Sequence, residues 1–208
     1  MTDYATFKAQ ISEWANRQDW SDTLVSSYVR MAEAKLNAEL RIDRMIQFDD
    51  GIIMARCAML PDDWLAMDLV RVTNDAGADG FLPARYISRD QFFTQKDSFT
   101  WMYYTIEGRE MFFGGTPDPE NGTPYKIAYY AEVPQFSDTQ DSWVYTKYQQ
   151  LYLYAALMHA NLHAQGEEQS AANLKQLVED MITKLNAGHL GAKASGSRVT
   201  RPRFRTFG

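Results

Sequence analysis

The sequence predicts an α+β fold: a helical bundle made by the N- and C-terminal helices, a central antiparallel β-rich insert, and an extended basic C-terminal tail. Three observations predict it. Apolar residues recur at helical spacing in residues 4–42 and again in 143–188. Between 44 and 131 the pattern changes to short alternating or aromatic runs punctuated by Gly, Pro and Asp. The last sixteen residues hold five cations and no acid. The boundaries that follow are an N-terminal helix pair (1–43), a β-rich insert (44–131), a C-terminal helix pair completing the bundle (132–190) and a flexible basic arm (191–208).

Each element has a local reason. Tyr4, Phe7, Ile11 and Trp14 share one helical face, with Thr2 as N-cap and Asp3 at the positive helix end. Ser21 caps a second helix whose inward stripe is Leu24, Tyr28, Met31, Ala32, Leu36 and Leu40, leaving Glu33, Lys35 and Glu39 on the polar side. Asp49-Asp50-Gly51 reads as a hairpin turn between apolar runs at 45–48 and 52–59. Leu60-Pro61-Asp62-Asp63 stops that strand, and residues 64–72 resume extended structure. Asn74 to Gly80 is a loop, and Ser88 caps a short helix to Gln95 with Phe92 inward. Residues 101–106 and 111–113 form an aromatic hairpin around Glu107-Gly108, and 125–131 closes the sheet. From Trp143 a helix buried nearly all round carries Leu151, Tyr154, Ala155, Met158 and Leu162 on one face. The last helix presents Leu174, Leu177, Val178, Met181 and Leu185 and ends at Gly188.

Composition narrows function. The chain has 208 residues with 45% hydrophobic and 13% aromatic content, enough to repay ordering entropy, so disorder throughout is excluded. A single cysteine, Cys57, excludes a disulfide framework and a cysteine-built metal site. Met1-Thr2-Asp3-Tyr4 lacks signal-peptide character, and the longest apolar run, 151–158, is far short of the roughly 20 residues that span a bilayer, so a soluble protein without a membrane partner is expected. The net charge is −6, and because the last sixteen residues contribute +5, residues 1–192 carry −11. Body and tail therefore suit different partners.

Catalytic and metal signatures are weak. His159 and His163, four apart, share a helix face, but Ala160 stands where a zinc-protease helix needs Glu. His189 has no partner in sequence, and Cys57 reads as a buried strand residue. Asp118 to Gly122 lacks the ligand spacing of a calcium loop, and Gly114-Gly115 lacks the lysine of a phosphate loop. No enzyme site, metal or cofactor is expected. The tail is the candidate partner-binding element, through Arg198, Arg201, Arg203, Phe204, Arg205 and Phe207. Three readings are open for it: a solubilising end, a single-stranded nucleic-acid binder pairing cations with phosphates and rings with bases, or an extended peptide that clips onto a partner protein.

The segments Tyr28 to Ile42, Leu60-Pro61-Asp62-Asp63-Trp64-Leu65, Tyr104 to Gly108, Ile127 to Pro134 with Ser137-Asp138, and Leu151 to Leu157 follow one another in an order and spacing that resembles the phage head-to-tail adaptor family of short-tailed viruses. The likeness covers about residues 4–190 and departs at Gly114-Gly115-Thr116, where the family more often enters a proline turn. It implies a non-enzymatic structural protein without cofactors, located at the virion's head-to-tail junction and in the host cytoplasm during assembly. About twelve copies would form a ring beneath the portal protein and meet a tail tube or nozzle protein, with DNA passing through the channel without sequence-specific binding. The alternative is a nucleic-acid binding module led by the basic aromatic tail.

Overall fold

Five segments, residues 4–73, 80–95, 101–115, 122–163 and 168–196, are described by the computed structural model. The architecture is α+β and divides into two compact units, one made of the chain up to Asp43 and from Val133 onward, the other of Arg44–Glu132.

In the first unit, α1 (Tyr4–Trp14) buries Tyr4, Phe7 and Ile11, whereas Trp14 at the end of the stripe is exposed. Asn16 then takes φ 52, and the bonds Arg17 N–H to Ser12 O and Asn16 N–H to Glu13 O close a left-handed C-terminal cap. Ser21 Oγ accepts from Leu24 N at 3.3 Å and starts α2 (Asp22–Glu39) as expected. The face that α2 buries is rotated from the expected one: Val25 and Val29 join Tyr28, Ala32 and Leu36, Met31 is exposed, and Glu33 is buried. The helix expected from Trp143 is two helices, α4 (Trp143–Lys147) and α5 (Gln149–His163), separated at Tyr148, where ψ reaches 49°. Leu162, expected inward, is exposed. Rings from α1, the segment before α4, α4 and α5 meet in one cluster, with centroid distances of 4.6 Å for Phe7–Tyr145, 4.9 Å for Phe136–Tyr145 and 5.4 Å for Phe7–Tyr152.

The final helix, α6 (Glu168–Gly196), does not end at Gly188 and claims residues 191–196 of the expected arm. An interior glycine weakens a helix by only about 1 kcal/mol. Here His189, one residue later, is buried with Nδ1 2.6 Å from Asp43 Oδ1, and that contact holds the helix past the weak point. The histidine without a sequence partner therefore has one. Burial along α6 follows Ala171, Val178, Ile182 and His189, while Leu177 is exposed.

The second unit is a sandwich of two four-stranded sheets. The strands are β1 (Ile46–Ile52), β2 (Cys57–Met59), β3 (Trp64–Thr73), β4 (Phe81–Pro83), β5 (Arg85–Tyr86), β6 (Tyr103–Glu107), β7 (Glu110–Gly114) and β8 (Pro124–Ala131), ordered β1-β8-β3-β4 and β2-β7-β6-β5. Val70, Val72, Tyr125 and Ile127 of the first sheet face Ala58, Tyr104, Met111 and Phe113 of the second across one core. The short helix α3 (Arg89–Gln95) starts as expected: Gln91 N donates to Ser88 Oγ and Ser88 N to Gln91 Oε1, a reciprocal capping box. Phe92 packs on Tyr103 at 5.5 Å. The Leu60 to Asp63 stop is pinned from two sides, Asp62 pairing with Arg109 and Asp63 accepting from the Tyr129 hydroxyl at 3.0 Å.

Asp49-Asp50-Gly51 is not a turn. β1 runs straight through it, paired with β8 from Ile46↔Tyr130 to Ile52↔Pro124. The aspartates are tolerated because β1 is an edge strand with both side chains exposed, and Gly51 leaves room for Tyr125, whose hydroxyl lies 2.7 Å from where a Cβ would stand. The chain reverses instead at Ala55 and Arg56, with φ 51 and 62, closed by Met54 N–H to Cys57 O at 3.0 Å and Cys57 N–H to Met54 O at 2.9 Å. Two left-handed residues in a two-residue loop are type I′ geometry, which favours Asn-Gly. Ala55→Asn is therefore expected to raise stability by about 0.5–1 kcal/mol. Equilibrium urea unfolding checks this, and an unchanged or lowered midpoint would reject the strain argument.

Candidate interaction surfaces

The arm residues Arg198, Arg201, Arg203, Phe204, Arg205 and Phe207 lie outside the described residues, as do Thr2, the 74–79 part of the expected loop, and Asp118–Asn121. α6 is the element that leads toward the arm, ending two residues before Arg198.

The histidine pair serves packing in unit one. His163 Nδ1 is 2.9 Å from the Tyr28 hydroxyl, tying α5 to α2. His159 is half-buried, and burial together with the Lys35 charge holds its imidazole below the ordinary histidine range. Among the described residues no group of three or more His, Cys, Asp or Glu is placed to hold a metal ion. Cys57 is half-buried rather than sealed, and burial followed by the nearby Glu110 charge pushes its thiol up, the opposite of nucleophile activation. Among the described residues no helix is long and apolar enough to cross a membrane.

The most deliberate polar arrangement is Glu33, which sequence reasoning assigned to solvent. Only 4% exposed, its Oε1 accepts from Phe136 N at 2.6 Å and from the Tyr152 hydroxyl at 2.5 Å. Next to it, Asn37 Oδ1 accepts from Val133 N at 2.8 Å, so two residues one turn apart on α2 satisfy the incoming backbone at 133–136. Burial raises the Glu33 carboxyl, opposed by its two hydrogen bonds and the charge of Arg30. The arrangement fixes the segment that returns the chain to the bundle and acts as a structural clasp.

The exposed chemistry lies on the edges of the sandwich. β1 and β2 are joined through the 54–57 turn and are edge strands of their respective sheets on the same side. Phe48, 82% exposed, shares one face of β1 with Asp50 and Ile52, and Met54 and Met59 are exposed beside them. β4 and β5, consecutive in the chain, form the opposite edges. There Leu82, Arg85 and Tyr86 are exposed, and Arg85 lies over the Trp101 ring at 5.3 Å. Sequence reasoning passed over both edges. The available signal was the Asp pair inside an alternating run, since charge within a strand pattern marks an edge.

A family model described as SU10 adaptor protein matches residues 2–203. No curated protein matches the chain.

Proposed function

We propose, on the premise that the chain belongs to the SU10 adaptor protein family and so is a phage head-to-tail adaptor of the virion, that it works as a ring of about twelve copies beneath the portal, joins it to a tail tube or nozzle protein, and lines part of the DNA exit path. The observation that carries this reading is the family match along nearly the whole chain, including both units of the fold. The charge distribution supports it: residues 1–192 carry −11, so a channel formed by this body repels phosphate and lets DNA slide without counterion-release adhesion. Assembly happens in the host cytoplasm and leaves the protein at the head-to-tail junction. Its work is structural, not catalytic.

The arm is the portal contact in this reading. Arg198, Arg201, Arg203 and Arg205 supply charge match, Pro202 limits the chain's freedom, and Phe204 and Phe207 fill apolar pockets. Ordering an arm opposes binding by about 1–2 kcal/mol per residue, so the rings must contribute most of the gain; exposed ion pairs are worth about 0–1 kcal/mol each. The test mixes portal rings with the full chain, with a chain ended at Gly196, and with Phe204→Ala plus Phe207→Ala. Both variants are expected to bind about tenfold or more weakly. Undiminished capping by the shortened chain would discard the arm contact. Tight DNA binding by the full chain, falling steeply with salt and abolished by the same truncation, would favour the nucleic-acid module instead.

A further inference from the structure

We infer that the two open edges of the β-sandwich are the two halves of one head-to-tail contact between copies of this chain: the β1/β2 edge of one copy seats against the β4/β5 edge of the next. The inference rests on the ring reading and names the interface that would close it.

Open strand edges present unpaired backbone groups, and proteins blunt them with charge, brevity or a cover. β4 and β5 are blunted by brevity, at three and two residues. β1 is not, since it runs for seven residues. Its Asp49 and Asp50 would suffice as blunting charges on their own, but the strand also exposes Phe48 at 82% and Ile52 at 57%, with Met54 at 62% and Met59 at 59% alongside. Asp50 stands between Phe48 and Ile52 on one face of β1 and Asp49 projects to the other, so the edge carries an acid on each face beside exposed apolar side chains, which keeps out the wrong neighbour and suits a cationic, partly apolar one.

Complementarity identifies the neighbour. A two-fold pairing of β1 with another β1 would bring Asp49 and Asp50 of both copies together, which is repulsive. The opposite edge offers the reverse charge beside apolar surface. Arg85 is exposed there, Arg71 is exposed in register with Pro83 of β4, and Leu82 and Tyr86 supply apolar contact. Arg89 nearby is paired with Glu107 at 2.9 Å, so Arg71 and Arg85, with Lys126 beside them, are the cations that the described residues of this edge offer without an acid partner. Asp49 and Asp50 are in no ion pair among the described residues. Lys126, opposite Asp50 in the β1–β8 register, has its Nζ 4.5 Å from the centroid of the Phe81 ring. The two edges lie at opposite ends of both sheet orders, so a contact between them is heterologous, and a heterologous contact repeated through a closing rotation makes a ring.

The experiment uses full-length chains capping portal rings, with assembly read by native mass spectrometry and folding by circular dichroism. One variant carries Asp49→Arg and Asp50→Arg; a second carries Arg71→Glu and Arg85→Glu. Each alone is expected to stay folded and to lose ring yield about tenfold or more, because both edges of each variant now have the same sign. Mixed in equal amounts, the two variants are expected to recover rings containing equal numbers of each, since alternation restores every contact. Folded single variants that cap portals like the wild type would overturn the interface and leave the ring reading standing. A lack of recovery on mixing folded variants would also overturn it. A wild-type chain that forms no closed assembly on the portal would overturn the ring reading and this inference with it.

Discussion

Glu33→Ala is expected to lower folding stability by about 3 kcal/mol, because it leaves the Phe136 N–H and the Tyr152 hydroxyl buried without their acceptor. Glu33→Gln retains an acceptor and is expected to cost about half as much. The pair also separates hydrogen bonding from charge. Burial holds the folded-state carboxyl above its ordinary range, so the unfolded chain ionises first as pH rises. The folded protein binds the extra proton, and this contribution to stability is full below the ordinary glutamate range and lost as pH climbs through the raised value. The stability advantage of wild type over Glu33→Gln should therefore shrink on going from about pH 4 to about pH 8. Urea midpoints across that range measure it. An advantage that is constant or grows with pH would show that the ion, not the acid, is the favoured buried form.

Why Glu33 escaped a reading of the sequence is instructive for the whole fold. Helical periodicity located α2, but its partners decide which stripe is buried, and they lie about a hundred residues away at Phe136 and Tyr152. A charged residue is assigned to water unless something local says otherwise, and nothing within one turn of Glu33 does. Elements whose reasons are local were legible: the Ser21 cap, the Ser88 cap, and the β6–β7 hairpin, whose register runs from Tyr103↔Gly114 to Glu107↔Glu110. Asp49-Asp50-Gly51 misled for the converse reason. Its local turn chemistry is real, yet pairing of β1 with β8 along seven residues outweighs it, and the actual reversal at Ala55-Arg56 has no turn signature. The family was legible because it depends on the order of many weak segments. The edges that could carry assembly were not, because exposure is a property of the finished sheet.

Gly115→Ala is the second large effect expected, a loss of about 3 kcal/mol or more. Gly115 holds φ +121, a conformation that L side chains rarely adopt, and a Cβ there would stand 2.1 Å from the Trp101 carbonyl oxygen and 2.9 Å from Met102 Cα. Both obstacles are backbone, so neither can rotate away. Gly114 is the informative control. The atoms nearest a Cβ at Gly114 belong to the Tyr103 ring, at 2.7 Å, and a ring has torsions with which to yield. Gly114→Ala should therefore cost less than Gly115→Ala, although Gly114 is the residue inside β7. The same geometry accounts for a glycine at 115: the β7 exit passes against the backbone of Trp101 and Met102 that enters β6. Trp101 also lies under Arg85 at 5.3 Å, so displacing the Trp101 backbone would disturb that contact on β5. Denaturant unfolding of the two variants ranks them, and Gly114→Ala proving the more damaging would show that the ring at Tyr103, rather than the backbone at Trp101, is the fixed wall.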